Sequence, residues 1–138
     1  NNSGIIVDNK ASLKVNGTIN NEVIFEGDRL EPAFSDVAGQ WGAIWLTDGS
    51  TNNQINYATI KNASVGIRMD NNDGSNRPTL TIKNTQIYNS ANVGLLARTG
   101  CIEGENLVSS WQFSVFSHST FVCRKSGPQK LRTCRQFL

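Results

Sequence analysis

The amino-acid sequence predicts an all-β protein in which short strands form successive coils of a solenoid and stack on one another in parallel. Three observations support this prediction. Similar segments recur at intervals of 20 to 28 residues. Asn fills seventeen positions and Gly twelve, and both tolerate the left-handed backbone conformation that tight turns require. Asn-Gly, the dipeptide typical of two-residue hairpins, occurs only at 16–17, and long helical segments that could connect a doubly wound sheet are absent.

The first repeated unit places two apolar residues five positions apart. It occurs as "INYATIKN" (55–62), "IKNTQIYN" (82–89) and "IEGENLVS" (102–109). Ile55 and Ile82 are 27 residues apart, and Ile102 follows Ile82 after 20 more. We therefore expect the three segments to be equivalent strands of neighbouring coils, with Ile102 aligned to Ile82.

A second unit begins with a small residue and has apolar side chains at its second and fourth positions. It occurs as "GIIV" (4–7), "AIWL" (43–46), "GIRM" (66–69) and "GLLA" (94–97). Because side chains alternate along a strand, the second and fourth residues should point inward and the third outward. Each coil thus contains at least two short strands, and the chain contains about four coils.

Several of these segments together resemble a known group of proteins. They are "SLKVNG" (12–17), "VIFEGDRLEP" (23–32), "GQWGAIWL" (39–46), "INYATIKNASVGI" (55–67) and "LTIKNTQIYNSANVGLLAR" (80–98). The combination is similar to right-handed parallel β-helix repeat proteins of the pectate-lyase-like superfamily, and more narrowly to its uncharacterised bacterial envelope-associated members. The resemblance covers about residues 3–108. It implies a right-handed parallel β-helix and an exported or cell-surface location, but that superfamily includes lyases, hydrolases, adhesins and members without a known reaction.

The chain divides into two parts of different composition. Residues 1–108 form the predicted coils, with a loop insertion at 28–40, and carry a net charge of −3, whereas residues 109–138 contain no acid and carry +5. This basic tail is interpreted in three ways: as a cap on the open end of the solenoid, as a segment that binds anionic polymers, or as the product of a shifted reading frame or truncated gene. The polar opening "NNSGIIVDNK" and the missing initiator Met suggest a fragment of a longer chain.

Two asparagines close equivalent copies of the first unit. Asn62 and Asn89 occupy the same turn in successive coils, so we expect a structural ladder in which their side-chain amides bond from coil to coil. Asn84 and Asn106 are lesser candidates for the same role.

The loop at 28–40 lacks strand alternation, contains Pro32 and is followed directly by Trp41 and Trp45. Trp45 should point outward next to Arg68, the equivalent residue one coil later, so that Trp41, Trp45 and Arg68 could form a sugar-stacking, ligand-binding surface. In the alternative interpretation, the loop folds its apolar residues and both tryptophans over the strand face. Those apolar residues are Leu30, Phe34 and Val37.

Charged residues near the loop could instead support catalysis. Glycoside hydrolysis needs two carboxylates about 5–10 Å apart. By analogy with the superfamily, a lyase would need acids that bind calcium and a basic residue that takes the proton. The weak catalytic candidates are Glu31, Asp36, Asp48 and Arg68.

In "MDNNDGSNRP" (69–78), Asp70 and Asp73 are weak calcium candidates, but their spacing does not match an EF-hand, so no metal site is predicted although calcium stays possible.

The cysteine and histidine positions give little support for nucleophilic catalysis or metal binding. Cys101, Cys123 and Cys134 lack metal-ligand spacing, and His118, the single histidine, lies in the atypical tail. If the tail is native and the protein exported, Cys123 and Cys134 are the easiest pair to bridge, with Cys101 packed as a small core residue.

These observations favour a non-catalytic carbohydrate- or surface-interaction module of an exported bacterial β-helix protein. The first alternative is a polysaccharide lyase or glycoside hydrolase with an incomplete site in this chain, and the second is a purely structural spacer. The expected partner is a polysaccharide or cell-surface glycan. Nucleic acid is not an expected partner because a recognised motif is absent, and no apolar run approaches the roughly 18 residues needed to span a bilayer.

Overall fold

A computed structural model describes residues 3–70, 77–109, 113–115 and 130–135, and it is built of β-strands without an α-helix in these ranges. The predicted all-β class is therefore confirmed. The first strands are β1 (Ile5–Val7), β2 (Lys14–Asn16), β3 (Val23–Phe25), β4 (Ile44–Leu46) and β5 (Asn53–Lys61). They are followed by β6 (Val65–Asp70), β7 (Leu80–Tyr88), β8 (Val93–Ser109), β9 (Phe113–Val115) and β10 (Lys130–Arg135). One turn of 3-10 helix, Pro32–Phe34, lies in the loop between β3 and β4.

The strands form two sheets, between which the chain alternates. Sheet A pairs β1, β4, β6, the first part of β8 and β9, and every pairing in it is parallel. Sheet B pairs β2 and β3 with β5, then β5 with β7 and β7 with the second part of β8, again in parallel. The strand β10 is the exception, because it pairs with β8 in the antiparallel direction. Parallel pairing requires long connections between neighbours, and here the chain makes them by passing through the other sheet.

The register of sheet A matches the second repeated unit. Ile5, Ile44, Ile67 and Leu95 lie opposite one another on successive strands. The inward positions are buried as the alternation predicts: Ile44, Leu46, Ile67, Met69 and Leu95 are fully buried. Close backbone approach requires glycine at the start of two of these units, since a Cβ on Gly4 would collide with the carbonyl oxygen of Ala43 and one on Gly66 with that of Gly94.

The register of sheet B corrects the alignment of the third copy of the first unit. Ile55 lies opposite Ile82 as expected, but Ile102 lies opposite Leu80, and Ile82 faces Gly104. The prediction that Ile102 aligns with Ile82 is therefore wrong by two residues. The reason is a left-handed bend in each of these strands: Asn84 and Asn106 have φ of 46° and 51°, and stacking these bends fixes the register.

The core lies between the inward faces of the two sheets. Sheet B contributes fully or almost fully buried side chains from three strands: Ile55, Ile60, Leu80, Ile82, Ile87 and Ile102. Each buried side chain of this size contributes about 1.5–3 kcal/mol of transfer free energy, so the apolar columns are the main source of stability. The outward faces remain available for polar and functional side chains.

Candidate functional site

The outer face of sheet A holds a stacked pair of side chains. Trp45 and Arg68 are opposite one another on β4 and β6, and both point outward because their strand neighbours are buried. The guanidinium carbon of Arg68 lies 4.4 Å from the centre of the Trp45 ring. At this distance the cation is attracted to the negative face of the indole ring. Both side chains are thus held in a fixed orientation while remaining partly exposed.

Asp70 joins this pair to a second arginine. Its Oδ2 accepts hydrogen bonds from the indole Nε1 of Trp45 and from Nε of Arg68, both at 2.8 Å. Its Oδ1 lies 3.6 Å from Nε of Arg98. The Arg98 side chain is 56% exposed, whereas that of Asp70 is only 21% exposed. The cluster of Trp45, Arg68, Asp70 and Arg98 therefore carries one net positive charge, with Arg98 the more accessible of its two cations.

A β-bulge directs Arg98 toward the cluster. Met69 lies opposite Ala97, but Asp70 lies opposite Thr99, so Arg98 is the extra residue on β8. Bulges of this kind change the direction of a side chain and increase the local twist. The sequence contained one usable signal for Asp70, because it is two residues after Arg68 and must share its face. The role of Arg98 depends on the bulge, which the repeat spacing does not indicate.

The cluster belongs to a stripe that crosses four strands of sheet A. Ile6, Trp45, Arg68 and Leu96 occupy equivalent outward positions on β1, β4, β6 and β8. Ile6 is 63% exposed, and Leu96 is partly exposed. With about 4.8 Å between strands, the stripe is about 14 Å long. It presents one aromatic ring and two aliphatic side chains beside the charged cluster.

Trp41, the third residue of the predicted ligand-binding surface, is almost fully buried and lies apart from the outward stripe. Trp41 is only 7% exposed, and its indole Nε1 donates a hydrogen bond to the backbone oxygen of Lys61 at 2.8 Å. An isolated parallel bridge to Ala63 draws Trp41 into the core. What remains accessible of Trp41 lines an open cavity of about 280 Å³ between β1 and β3, away from the outward stripe.

The loop at 28–40 is anchored by its polar groups and leaves two apolar side chains in solvent. Leu30 is 71% exposed and Val37 is 44% exposed, so the interpretation that the loop folds these residues over the strand face is wrong. The side-chain amide of Gln40 donates to the backbone oxygens of Phe34 and Val37. Arg29 stacks on the Phe34 ring at 4.6 Å. These contacts connect different parts of the loop to one another.

The four candidate catalytic residues belong to different elements of the chain. Glu31 and Asp36 lie in the loop before β4, whereas Asp48 lies beyond the other end of that strand. The strand β4 thus lies between Asp48 and the two carboxylates of the loop. Arg68 is paired with Asp70 instead.

A separate ion pair lies on the outer face of sheet B. Lys61 Nζ is 2.7 Å from Oε2 of Glu26. The hydrogen bond to Glu26 raises the pKa of Lys61 above its usual 10.5; burial opposes this rise, and the negative charge of Asp36 adds to it. Lys61 is therefore protonated at neutral pH.

The calcium candidates find no support in the geometry of Asp70. Its carboxylate already accepts bonds from Arg68 and Trp45, and the positive charges of Arg68 and Arg98 oppose the approach of a cation. Asp73 lies outside the described residues. Within the ranges that the structure describes, no three His, Cys, Asp or Glu side chains are grouped closely enough to hold a metal ion.

Two asparagine ladders connect the strands of sheet B. Asn89 Nδ2 donates to Oδ1 of Asn62 at 2.7 Å, and Asn62 Nδ2 donates to the backbone oxygen of Ser35 in the loop. In the second ladder, Asn106 donates to Asn84 at 2.9 Å, and Asn84 donates to Asn56 at 3.0 Å. The predicted pair of Asn62 and Asn89 thus also holds the loop, while Asn84 and Asn106 form a second ladder of the same kind.

The cysteine prediction needs a correction. Cys101 is disulfide-bonded and only 2% exposed, so it is not a free core thiol. The chain has three cysteines, and a bond from Cys101 to one of the other two excludes the expected bond between Cys123 and Cys134. Cys123 and His118 lie outside the described residues.

In the described part of the chain, the structure contains no helix with the length and apolar character needed to cross a membrane. Comparisons of the chain with protein-family models, with curated proteins and with solved structures find no match. The geometry of the outer face of sheet A is therefore the main guide to function.

Proposed function

We propose that this chain is a non-catalytic module that binds carbohydrate or a glycan-bearing surface, and that its two sheets are faces of a right-handed parallel β-helix. The observation that carries the proposal is the cluster of Trp45, Arg68, Asp70 and Arg98 on the outer face of sheet A. Each of these side chains is held by another member of the cluster. Preorganised side chains lose little conformational entropy when a ligand binds.

The chemistry of the cluster suits a sugar polymer. Sugar rings have apolar C–H faces that pack on aromatic and aliphatic side chains, and hydroxyl groups that bond to charged side chains. The outward stripe from Ile6 to Leu96 supplies the first kind of surface, and Arg98 supplies exposed donors beside it. A polymer lying across the strands could contact both at once.

The position of Asp48 and the charge of Lys61 support binding over catalysis. Glu31 and Asp36 are separated from Asp48 by the length of β4, and Lys61 keeps its proton at neutral pH. The disulfide at Cys101 supports an exported or surface location, because disulfides persist mainly in oxidising compartments.

The test is a binding panel of neutral and acidic polysaccharides, each with and without calcium, that follows both retention and chain cleavage. We expect retention of at least one polysaccharide without cleavage. Trp45→Ala should weaken that binding at least fivefold, because it removes the ring on which Arg68 stacks and the partner of Asp70. Tyr88→Ala is the matched control, since Tyr88 is an aromatic residue on the outer face of sheet B, and it should bind like the wild type.

Three outcomes contradict the proposal. Equal binding by Trp45→Ala and the wild type would move the site away from sheet A. Cleavage of a polysaccharide would make the chain an enzyme, and a complete lack of retention would favour the structural spacer. Circular dichroism of each variant separates loss of binding from loss of fold.

A further inference from the structure

The strand β10 pairs with β8 differently from the other strands of the two sheets. It runs antiparallel, and its register extends over six residue pairs, from Lys130 opposite Glu105 to Arg135 opposite Gly100. Within that register, Cys134 lies opposite Cys101. Directly opposed residues of an antiparallel pair have Cα atoms about 4.5–5.5 Å apart, which is within the range of Cα separations that disulfides span.

We infer that Cys134 is the residue to which Cys101 is bonded, and that this disulfide fastens β10 covalently to the outer edge of sheet B. Cys101 is disulfide-bonded, and the chain offers only Cys123 and Cys134 as partners. The register selects Cys134. The same register places Lys130 opposite Glu105 and Arg132 opposite Glu103, an alternation of opposite charges that favours this alignment over one shifted by a residue.

The bond makes the attachment of β10 dependent on redox conditions. Formation requires a disulfide donor, such as oxidised glutathione or a disulfide oxidoreductase, that reacts by thiol–disulfide exchange. The two thiols of Cys101 and Cys134 give up two protons and two electrons, and the disulfide of the donor becomes two thiols. Reduction reverses these steps and leaves the six residue pairs of β10 and β8 without a covalent link.

The linkage can be identified by peptide mapping of the full, non-reduced chain. Trypsin cuts after Arg98, Arg132 and Arg135, and a glutamate-specific protease cuts after Glu103. After alkylation in acid to prevent exchange, the double digest should yield peptide 99–103 joined to peptide 133–135. The Cys123→Ser variant should give the same joined peptide, while Cys134→Ser should not.

Hydrogen exchange gives a second readout. Reduction should raise the exchange rate of those backbone amides of residues 100–105 that face β10 at least tenfold, while leaving the amides of β5 unchanged. Recovery of peptide 99–103 joined to a peptide that contains Cys123 would overturn the inference, as would an unlinked Cys101 in the protein produced under oxidising conditions. Unchanged exchange after complete reduction would show that the disulfide does not hold β10 in place.

Discussion

Asparagine is used in this protein because it meets two requirements at one position. Asn62 and Asn89 have φ of 60° and 53°, and Asn84 and Asn106 have similar values. A left-handed conformation costs an ordinary L-residue roughly 1–2 kcal/mol, and Asn is among the few residues that adopt it readily. Its amide also offers a donor and an acceptor, so each side chain can bond to the neighbouring segments of the chain on both sides.

Substitution at Asn89 should separate these two requirements. Asn89→Gly keeps the left-handed conformation but removes the bond to Asn62, so it should lower the free energy of unfolding by about 1 kcal/mol. Asn89→Ala adds the cost of a left-handed alanine and should lower it by about 2–3 kcal/mol. Urea unfolding followed by circular dichroism measures both values.

The control for this series is Asn92→Ala. Asn92 is exposed and does not have a positive φ, so its substitution should change the free energy of unfolding by less than about 0.5 kcal/mol. If the Gly and Ala variants of Asn89 were equally stable, the left-handed conformation would not contribute to the choice of Asn. If Asn89→Gly were as stable as the wild type, the ladder bond would not contribute either.

At the scale of single elements, short strands depend on contacts made by the residues next to their ends. The strand β3 has only three residues, and it pairs only with β5 among the described strands. Glu26 follows β3 directly and lies 2.7 Å from Lys61 at the end of β5. This ion pair therefore reinforces a strand that has few ladder hydrogen bonds of its own.

The contribution of this ion pair should depend on pH at the alkaline end. Because the folded-state pKa of Lys61 is raised above 10.5, the stabilisation is fully present below the unfolded pKa and is lost as pH rises through the folded value. The stability difference between the wild type and Lys61→Met should thus be constant from pH 7 to about 9.5 and shrink above pH 10.5. Urea unfolding at a series of pH values measures this difference.

A double variant isolates the cause of that pH dependence. In a Glu26→Gln background, Lys61 loses its main charged partner, so Lys61→Met should produce a smaller difference that changes little above pH 10.5. A pH dependence of the same size in both backgrounds would assign the effect to groups other than Glu26.

The elements also show why some features could be predicted from the sequence and others could not. The inward columns of sheet A and the pairing of Trp45 with Arg68 follow from alternation and repeat spacing, which are local properties of the chain. The alignment of Ile102 was predicted wrongly because the spacing from Ile102 to Leu107 does not distinguish the predicted register from the observed one. The left-handed bend at Asn106 decides between the two registers, and the asparagine at that position was the available indication.

Other failures have tertiary causes. The burial of Trp41 depends on contacts with Lys61 and Ala63, about 20 residues later in the chain, and the position of Arg98 depends on a bulge in β8. The disulfide at Cys101 depends on pairing with a strand distant in sequence. Periodicity within a short window carries no information on such contacts, so the candidate site was predicted only where it followed the repeat.

At the scale of the whole molecule, the strands β1, β2 and β3, here called the first level, lie at the edge of the described sheets. The strands β1, β2 and β3 each have a single strand partner in the described part of the chain. Exposed apolar side chains are concentrated at this level, at Ile6, Ile19 and Ile24. In the proposed parallel β-helix, stability is approximately a sum over coils and their nearest-neighbour interfaces. The first level should therefore open more readily than the middle of the stack.

Two substitutions in one apolar column test this gradient with the same change of residue. Ile67 is fully buried, with Ile44 on one side and Leu95 on the other, so Ile67→Ala should lower the free energy of unfolding by about 3 kcal/mol or more. Ile5 is only partly buried at the edge of the same column, and Ile5→Ala should cost about 1 kcal/mol because little cavity forms. Hydrogen exchange in the wild type should show the same order, with the amides of β1 exchanging at least a hundredfold faster than those of β6. Equal costs for the two variants and uniform exchange would mean that the stack unfolds as one cooperative unit, because a local opening of the first level would then be no easier than global unfolding.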